Sequence, residues 1–169
     1  MARAKAFSSV SCTSVAAIVG VPGSRRTTYE GQAAVELELV ASGPVNRGYP
    51  FRMRSEGEGW VVETSQIVGG VVEDLLAEKS AATISSRFHR TMAEVVVAGC
   101  ERIREAGGGS AVALSGGTFQ NLLLVGQVLE LLAGKGFVVY RHRRVPTNDG
   151  GLSLGQAVLA DRVFGGKGT

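Results

Sequence analysis

Cysteine and histidine appear only twice each in these 169 residues, tryptophan once and proline four times, and aromatic residues make up 6% of the chain. Each scarcity removes a class of protein. Cys12 and Cys100 form no CxxC pair and have no ligand types close by, so neither a disulfide framework nor a thiolate metal site is expected. Cys100 falls on the apolar side of a helical pattern and reads as a small core residue. His89 and His142 make neither HxxxH nor HExxH, and no GxSxG or Walker sequence occurs. His89, beside Phe88, reads as a packed or interface histidine. No run approaches the roughly 18 apolar residues of a membrane span. Residues 1–21 lack the clean apolar centre and small-residue cleavage site of a signal peptide, so the cytoplasm is the expected location. Net charge is only +3. The clusters Arg25-Arg26 and Arg141-His142-Arg143-Arg144 have no interleaved aromatics, so nucleic acid is not an expected partner and they read as solvated surface or an anion-facing loop.

What the chain does contain is an ordinary globular balance, 44% hydrophobic and 20% charged, enough for one core of normal size. A short helix is expected near residues 13–19 and a loop over 21–28. Ala33, Ala34, Leu37 and Val40 recur at helical spacing, with Thr28 as the candidate N-cap. Residues 49–54 and 59–63 read as short strands about a glycine-bearing turn. Helices over 65–78 and 81–106 follow, the second ended by Gly107-Gly108-Gly109. The remainder reads as strand 111–114, helix 119–133, strand 137–140 and helix 151–164, a parallel βαβα unit, with a fraying tail at 165–169.

Two turns in that second half concentrate the chemistry. Ser115-Gly116-Gly117 follows one strand and opens a helix, where free N–H groups and a helix dipole suit a phosphate, or an adenosine lying against the glycines. A simple tight turn accounts for the same residues. Asn121 follows within reach, with a donor and an acceptor for a ribose or base edge. Asp149, between Asn148 and Gly150, follows the second strand and reads either as a helix N-cap or as a metal or magnesium-nucleotide ligand. Both turns belong at strand carboxyl ends, facing one cleft on the order of 5–10 Å across. Glu30, Gly31 and Gln32 form a third polar cluster at a helix start. Gly31 there implies either a close backbone approach or tight helix packing.

Four blocks together resemble a known family: Thr28-Tyr29-Glu30-Gly31-Gln32-Ala33-Ala34, Arg87-Phe88-His89, Leu114 through Asn121 (Leu-Ser-Gly-Gly-Thr-Phe-Gln-Asn), and Pro146 through Gly151 (Pro-Thr-Asn-Asp-Gly-Gly). In order and spacing they are similar to the carboxyl-terminal half of the carbamoyltransferase domain in HypF-type enzymes, over residues 9–164. The resemblance implies an α/β fold, one lobe of an actin-like ATPase. It implies that Gly116, Gly117 and Asn121 line an adenosine site, with Glu30, Gly31 and Gln32 near the phosphates or the carbamoyl group. It also implies that Asp149 is one ligand of a divalent metal (zinc, iron or magnesium) near the nucleotide.

The family reaction moves a carbamoyl group from ATP-derived carbamoyl-adenylate to the carboxyl-terminal cysteine of HypE, during nickel–iron hydrogenase maturation. HypE and the missing amino-terminal half of the domain are therefore the expected partners. Two departures bear on activity: the family's HxxxH metal motif and its upstream domains are absent, and Leu122 stands where arginine is usual. Residues 1–8 do not look like the family, so a truncated product, inactive alone, is the expectation. A non-catalytic interaction module and a fragment of a related O-carbamoyltransferase are the alternatives.

Overall fold

The computed structural model describes residues 12–57 and 59–165. The atypical start and nearly all of the expected tail lie outside them. In chain order the elements are α1 (Cys12–Val19), α2 (Gln32–Val40), β1 (Arg52–Glu56), β2 (Gly59–Glu63), α3 (Ser65–Leu76), α4 (Ala81–Glu105), β3 (Ala111–Leu114), α5 (Leu122–Gly134), β4 (Val138–Arg141) and α6 (Leu152–Phe164). Single 3₁₀ turns occupy Pro22–Ser24, Gly117–Gln120 and Asp149–Gly151.

The longest helix organises the rest. At 1.5 Å per residue α4 runs for about 37 Å, long enough to serve two cores. Its start is capped by Ser80 Oγ, which accepts from Thr83 N–H at 3.2 Å. Its end is a left-handed Gly107 (φ +88°) followed by Gly108, whose N–H donates to the Ile103 carbonyl at 2.8 Å. That 6→1 bond is the glycine termination expected from the sequence. Along the amino-terminal half, Ile84 and Phe88 pack with α1, α2, α3, Tyr49 and Val62. Along the other half, Ala93 and Val97 pack with Leu114, Leu124, Val128, Leu132 and Phe137. Met92 touches both clusters. Cys100 packs beside the second, and burial raises its thiol pKa.

Beneath α4 a polar network joins the first core to a loop. Tyr49 is buried, and its N–H donates to Thr91 Oγ1 at 2.7 Å while its hydroxyl donates to Asp74 Oδ2 at 2.8 Å. Arg87 pairs with the same carboxylate oxygen at 2.5 Å and lies over the Tyr49 ring, 4.3 Å from its centroid. Burial, then Asp74, raises the Tyr49 pKa, so the phenol stays a donor.

There are two two-stranded sheets among the described residues. β1 and β2 pair antiparallel, Arg52 opposite Glu63 through Glu56 opposite Gly59. β3 and β4 pair parallel, Ala111 opposite Val138 through Leu114 opposite Arg141, with α5 as the connection. This is the anticipated βαβ unit, its second strand one residue later than expected. The first hairpin strand begins at Arg52, not Tyr49, because Tyr49 is drawn into the core instead. Thr28 does not cap α2. The helix starts after Gly31, whose φ of +82° demands glycine, and Thr28 N–H instead donates to Gln32 Oε1 at 2.7 Å.

Candidate functional site

Four helices converge on a cavity of about 530 Å³, within the range that holds cofactors. Its walls include Cys12 and Thr13 from the start of α1, and Gly31, Ala34, Val35 and Glu38 at positions i, i+3, i+4 and i+7 on one face of α2. Phe88, His89 and Met92 of α4 form another wall, and Gly117, Thr118, Gln120, Asn121 and Leu124 close the side nearest α5. Glu30 stands beside Gly31 at the edge. Four of the six residues singled out for nucleotide contact, Glu30, Gly31, Gly117 and Asn121, thus line one cavity. Gly116 and Gln32 do not. Gln32 is engaged elsewhere, its Nε2 donating to Glu36 Oε1 at 2.8 Å.

The two glycine turns touch. Gly116 N–H donates to the Thr147 carbonyl at 2.8 Å, and a methyl group on Gly117 would meet the Asn148 side chain at 4.0 Å. Gly116 has φ +105° and ψ 159°, a conformation closed to L side chains, so the glycine is needed by the turn itself. Gly117 has no such constraint, and an added methyl would make only an ordinary contact with Asn148. Asn148, not Asp149, caps the following turn: its Oδ1 accepts from Gly150 N–H at 3.1 Å. Asp149 is exposed, and among the described residues no three His, Cys, Asp or Glu side chains gather as a metal would require. A metal at Asp149 therefore needs ligands from outside the described residues. In the basic cluster, His142 Nε2 lies 3.0 Å from Ser115 Oγ, at the foot of the first turn.

Asn121 is not one turn into α5 but its N-cap, and its bonds fix the protonation of its neighbour. Oδ1 accepts from Leu124 N–H at 2.7 Å, so the amide nitrogen faces His89 Nε2 at 2.9 Å. An amide nitrogen only donates, so Nε2 accepts and the ring proton resides on Nδ1, which donates to the Ser85 carbonyl at 2.8 Å. His89 is 1% exposed, and burial lowers its pKa against the opposing pull of that carbonyl and of Glu38. Glu38 also reinforces the cap, accepting from Leu122 N–H at 2.7 Å and Leu123 N–H at 3.1 Å.

Glu38 was passed over in the sequence, although its spacing to Gly31 made it detectable. His89 is the packed histidine expected from the sequence, but its contact with Asn121, 32 positions away, carries no local signal.

A neutral buried histidine has a consequence for stability. Below an unfolded-state pKa of about 6.5 the unfolded chain binds a proton that the folded chain still refuses. His89 therefore stabilises the fold fully above about pH 6.5, and that contribution is lost as pH falls toward its lower folded value. Urea unfolding across this window should show a slope approaching 1.4 kcal/mol per pH unit, absent in His89→Gln. Parallel pH profiles for the two proteins would rule the assignment out.

With that geometry in place, comparison with known proteins settles the family. The family model for the second subdomain of the Kae1-like carbamoyltransferase domain matches residues 12–156. The chain belongs to this family. It is 34% identical over 154 residues to carbamoyltransferase HypF of Rhodobacter capsulatus, covering 86% of this chain and 18% of that protein. It is also 34% identical over 145 residues to a HypF homolog of Cupriavidus necator, covering 81% of this chain and 36% of that one. A solved full-length HypF in a phosphate- and nucleotide-bound form superposes with a TM-score of 0.83 at 36% identity, covering 92% of this chain and 20% of that chain. The HypF of T. kodakarensis superposes at 0.70 with 26% identity. The fold is thus a lobe of the actin-like ATPase type. The chain spans about a fifth of the solved HypF proteins it matches. None of its described helices is long and apolar enough to cross a membrane.

Proposed function

We propose that this chain supplies the nucleotide-holding part of a cytoplasmic carbamoyltransferase that acts on carbamoyl-adenylate and a HypE-like acceptor in nickel–iron hydrogenase maturation. The observation that carries the reading is the cavity joining Glu30, Gly31, Gly117 and Asn121. Among the described residues its charged lining is acidic, Glu30 and Glu38, with no lysine or arginine. Like charge disfavours a phosphate inside, whereas carboxylates accept hydrogen bonds from ribose hydroxyls. The nucleoside belongs in the cavity, and its phosphate belongs outside it, away from Glu30 and Glu38.

In the proposed reaction the acceptor thiolate attacks the carbamoyl carbon. A C–S bond forms, the bond from that carbon to the phosphate oxygen breaks, and AMP departs with the electron pair, the thiol proton having left to solvent. This chain's part is to hold the adenylate, which is the leaving group, so that the carbamoyl carbon presents to the thiolate. His89 is not the base for that thiol: both its nitrogens are engaged and it is buried.

The test is AMP binding by calorimetry. One lobe provides only part of a two-lobed nucleotide site, so the isolated chain should bind with a Kd on the order of a millimolar and catalyse no transfer. Gly117→Leu fits the backbone and intrudes on the cavity, and it should weaken binding by roughly tenfold or more without lowering the melting temperature. An unchanged Kd in a folded Gly117→Leu protein would refute the site.

A further inference from the structure

The Asn121 amide has one hydrogen left over. Its Oδ1 is taken by Leu124 N–H, and one amide hydrogen goes to His89 Nε2. A primary amide carries two N–H donors, and the second has no acceptor among the described residues. The asparagine amide torsion is broad and soft when unsupported. Here bonds at both ends of the amide fix its plane, in a side chain that lines the 530 Å³ cavity beside His89.

Only a neutral imidazole can hold the amide this way. The Ser85 carbonyl accepts from Nδ1. Ser85 Oγ, 3.2 Å from the same nitrogen, gives its own proton to the Leu37 carbonyl and so can only accept. Two acceptors therefore face Nδ1 and one donor faces Nε2, which fixes the tautomer twice over. A second ring proton would set an N–H on Nε2 against the Asn121 N–H. The amide must then swing away, or rotate and give up the Leu124 cap. Either motion withdraws its free N–H from the cavity wall.

The titratable groups around the ring are few. Glu30 and Glu38 at α2 and Cys12 of α1 share the cavity wall with His89. Asp74 of α3 is taken by Tyr49 and Arg87. Burial raises the Cys12 thiol and lowers the His89 ring, and for the ring the Ser85 carbonyl and Glu38 pull the other way.

We propose that His89 is a positioning residue for nucleoside binding: its unprotonated Nε2 locks the Asn121 amide so that the free N–H donates to the nucleoside, and protonation of the ring releases it. The proposal deepens the nucleotide reading above and rests on it.

The probe is adenosine, which lacks the titrating phosphate of AMP. It should bind the full chain more weakly as pH falls below about 6.5, by roughly threefold to tenfold over the range in which circular dichroism shows the chain folded. Linkage is reciprocal, so saturating adenosine should push the His89 titration, followed by nitrogen NMR of the imidazole, to lower pH. His142, outside the cavity, should not follow. His89→Leu offers Asn121 no acceptor and should weaken binding by roughly tenfold at every pH. His89→Gln offers one that never titrates, so it should rescue the affinity lost in His89→Leu and show no pH dependence. A His89 titration indifferent to adenosine, or wild-type affinity in His89→Leu, would overturn the proposal, and if His89→Leu does not fold the wild-type titration decides alone. Gly117→Leu separates the two claims. Binding that Gly117→Leu weakens but the His89 titration ignores keeps the cavity and rejects the positioning role. Adenosine binding that is absent, or untouched by Gly117→Leu, rejects the cavity and the role with it.

Discussion

Asn121→Ala should destabilise the fold by about 2–4 kcal/mol, well beyond the effect of an ordinary surface substitution. Two losses combine. The α5 amino terminus loses its cap, worth about 1 kcal/mol, although Glu38 still accepts from Leu122 and Leu123. The larger loss is at His89, whose buried Nε2 is left without its donor, a desolvation penalty of about 1–3 kcal/mol. Asn121→Asp tells the two apart. Aspartate caps as well as asparagine but cannot donate to a neutral imidazole, so it should recover stability only where His89 is protonated, at acid pH. Denaturant unfolding at two pH values reads both variants. If Asn121→Asp matches the wild type at neutral pH, the amide–imidazole bond does not contribute.

The second large effect is expected at Asp74. Its carboxylate serves the Tyr49 hydroxyl and the Arg87 guanidinium together, at an 11% exposed side chain. Asp74→Ala leaves a buried phenol without an acceptor and an arginine without its counter-charge. Breaking a fully buried pair costs about 3–5 kcal/mol, but Arg87 is one-third exposed, so solvent recovers part of that and about 2–4 kcal/mol is expected. Asp74→Asn keeps an acceptor for Tyr49 and should lose less. A double-mutant cycle with Tyr49→Phe isolates the shared bond, with a coupling of about 1 kcal/mol or more expected. A coupling near zero would mean that Tyr49 and Asp74 act independently.

The elements of the second half were legible because local signals agreed there: apolar strands, glycine stops and helical periodicity all point to one parallel βαβ unit. Errors gathered at element starts. α2 begins at Gln32 because Gly31 takes a left-handed conformation, and propensity cannot reveal a φ value. α5 begins after a 3₁₀ turn, which moves Asn121 from the helix body to the cap. Tyr49 left its expected strand because the side chain finds Asp74 and the backbone finds Thr91, partners 25 and 42 positions away.

The sequence alone determined the family and the two turns, since ordered blocks with fixed spacing survive wherever the chain places them, and glycine pairs after apolar strands mark tight turns. Only the tertiary structure decided which residues meet. It gathered Glu30, Gly31, Gly117 and Asn121 about one cavity and turned Gln32 away to Glu36. It also made His89 a neutral partner of Asn121 and left α6 and one face of β3–β4 uncovered among the described residues. The physical reason is range. Periodicity and turn chemistry act over a few residues, whereas a cavity wall, a buried tautomer and an uncovered face depend on side chains brought together from distant parts of the chain.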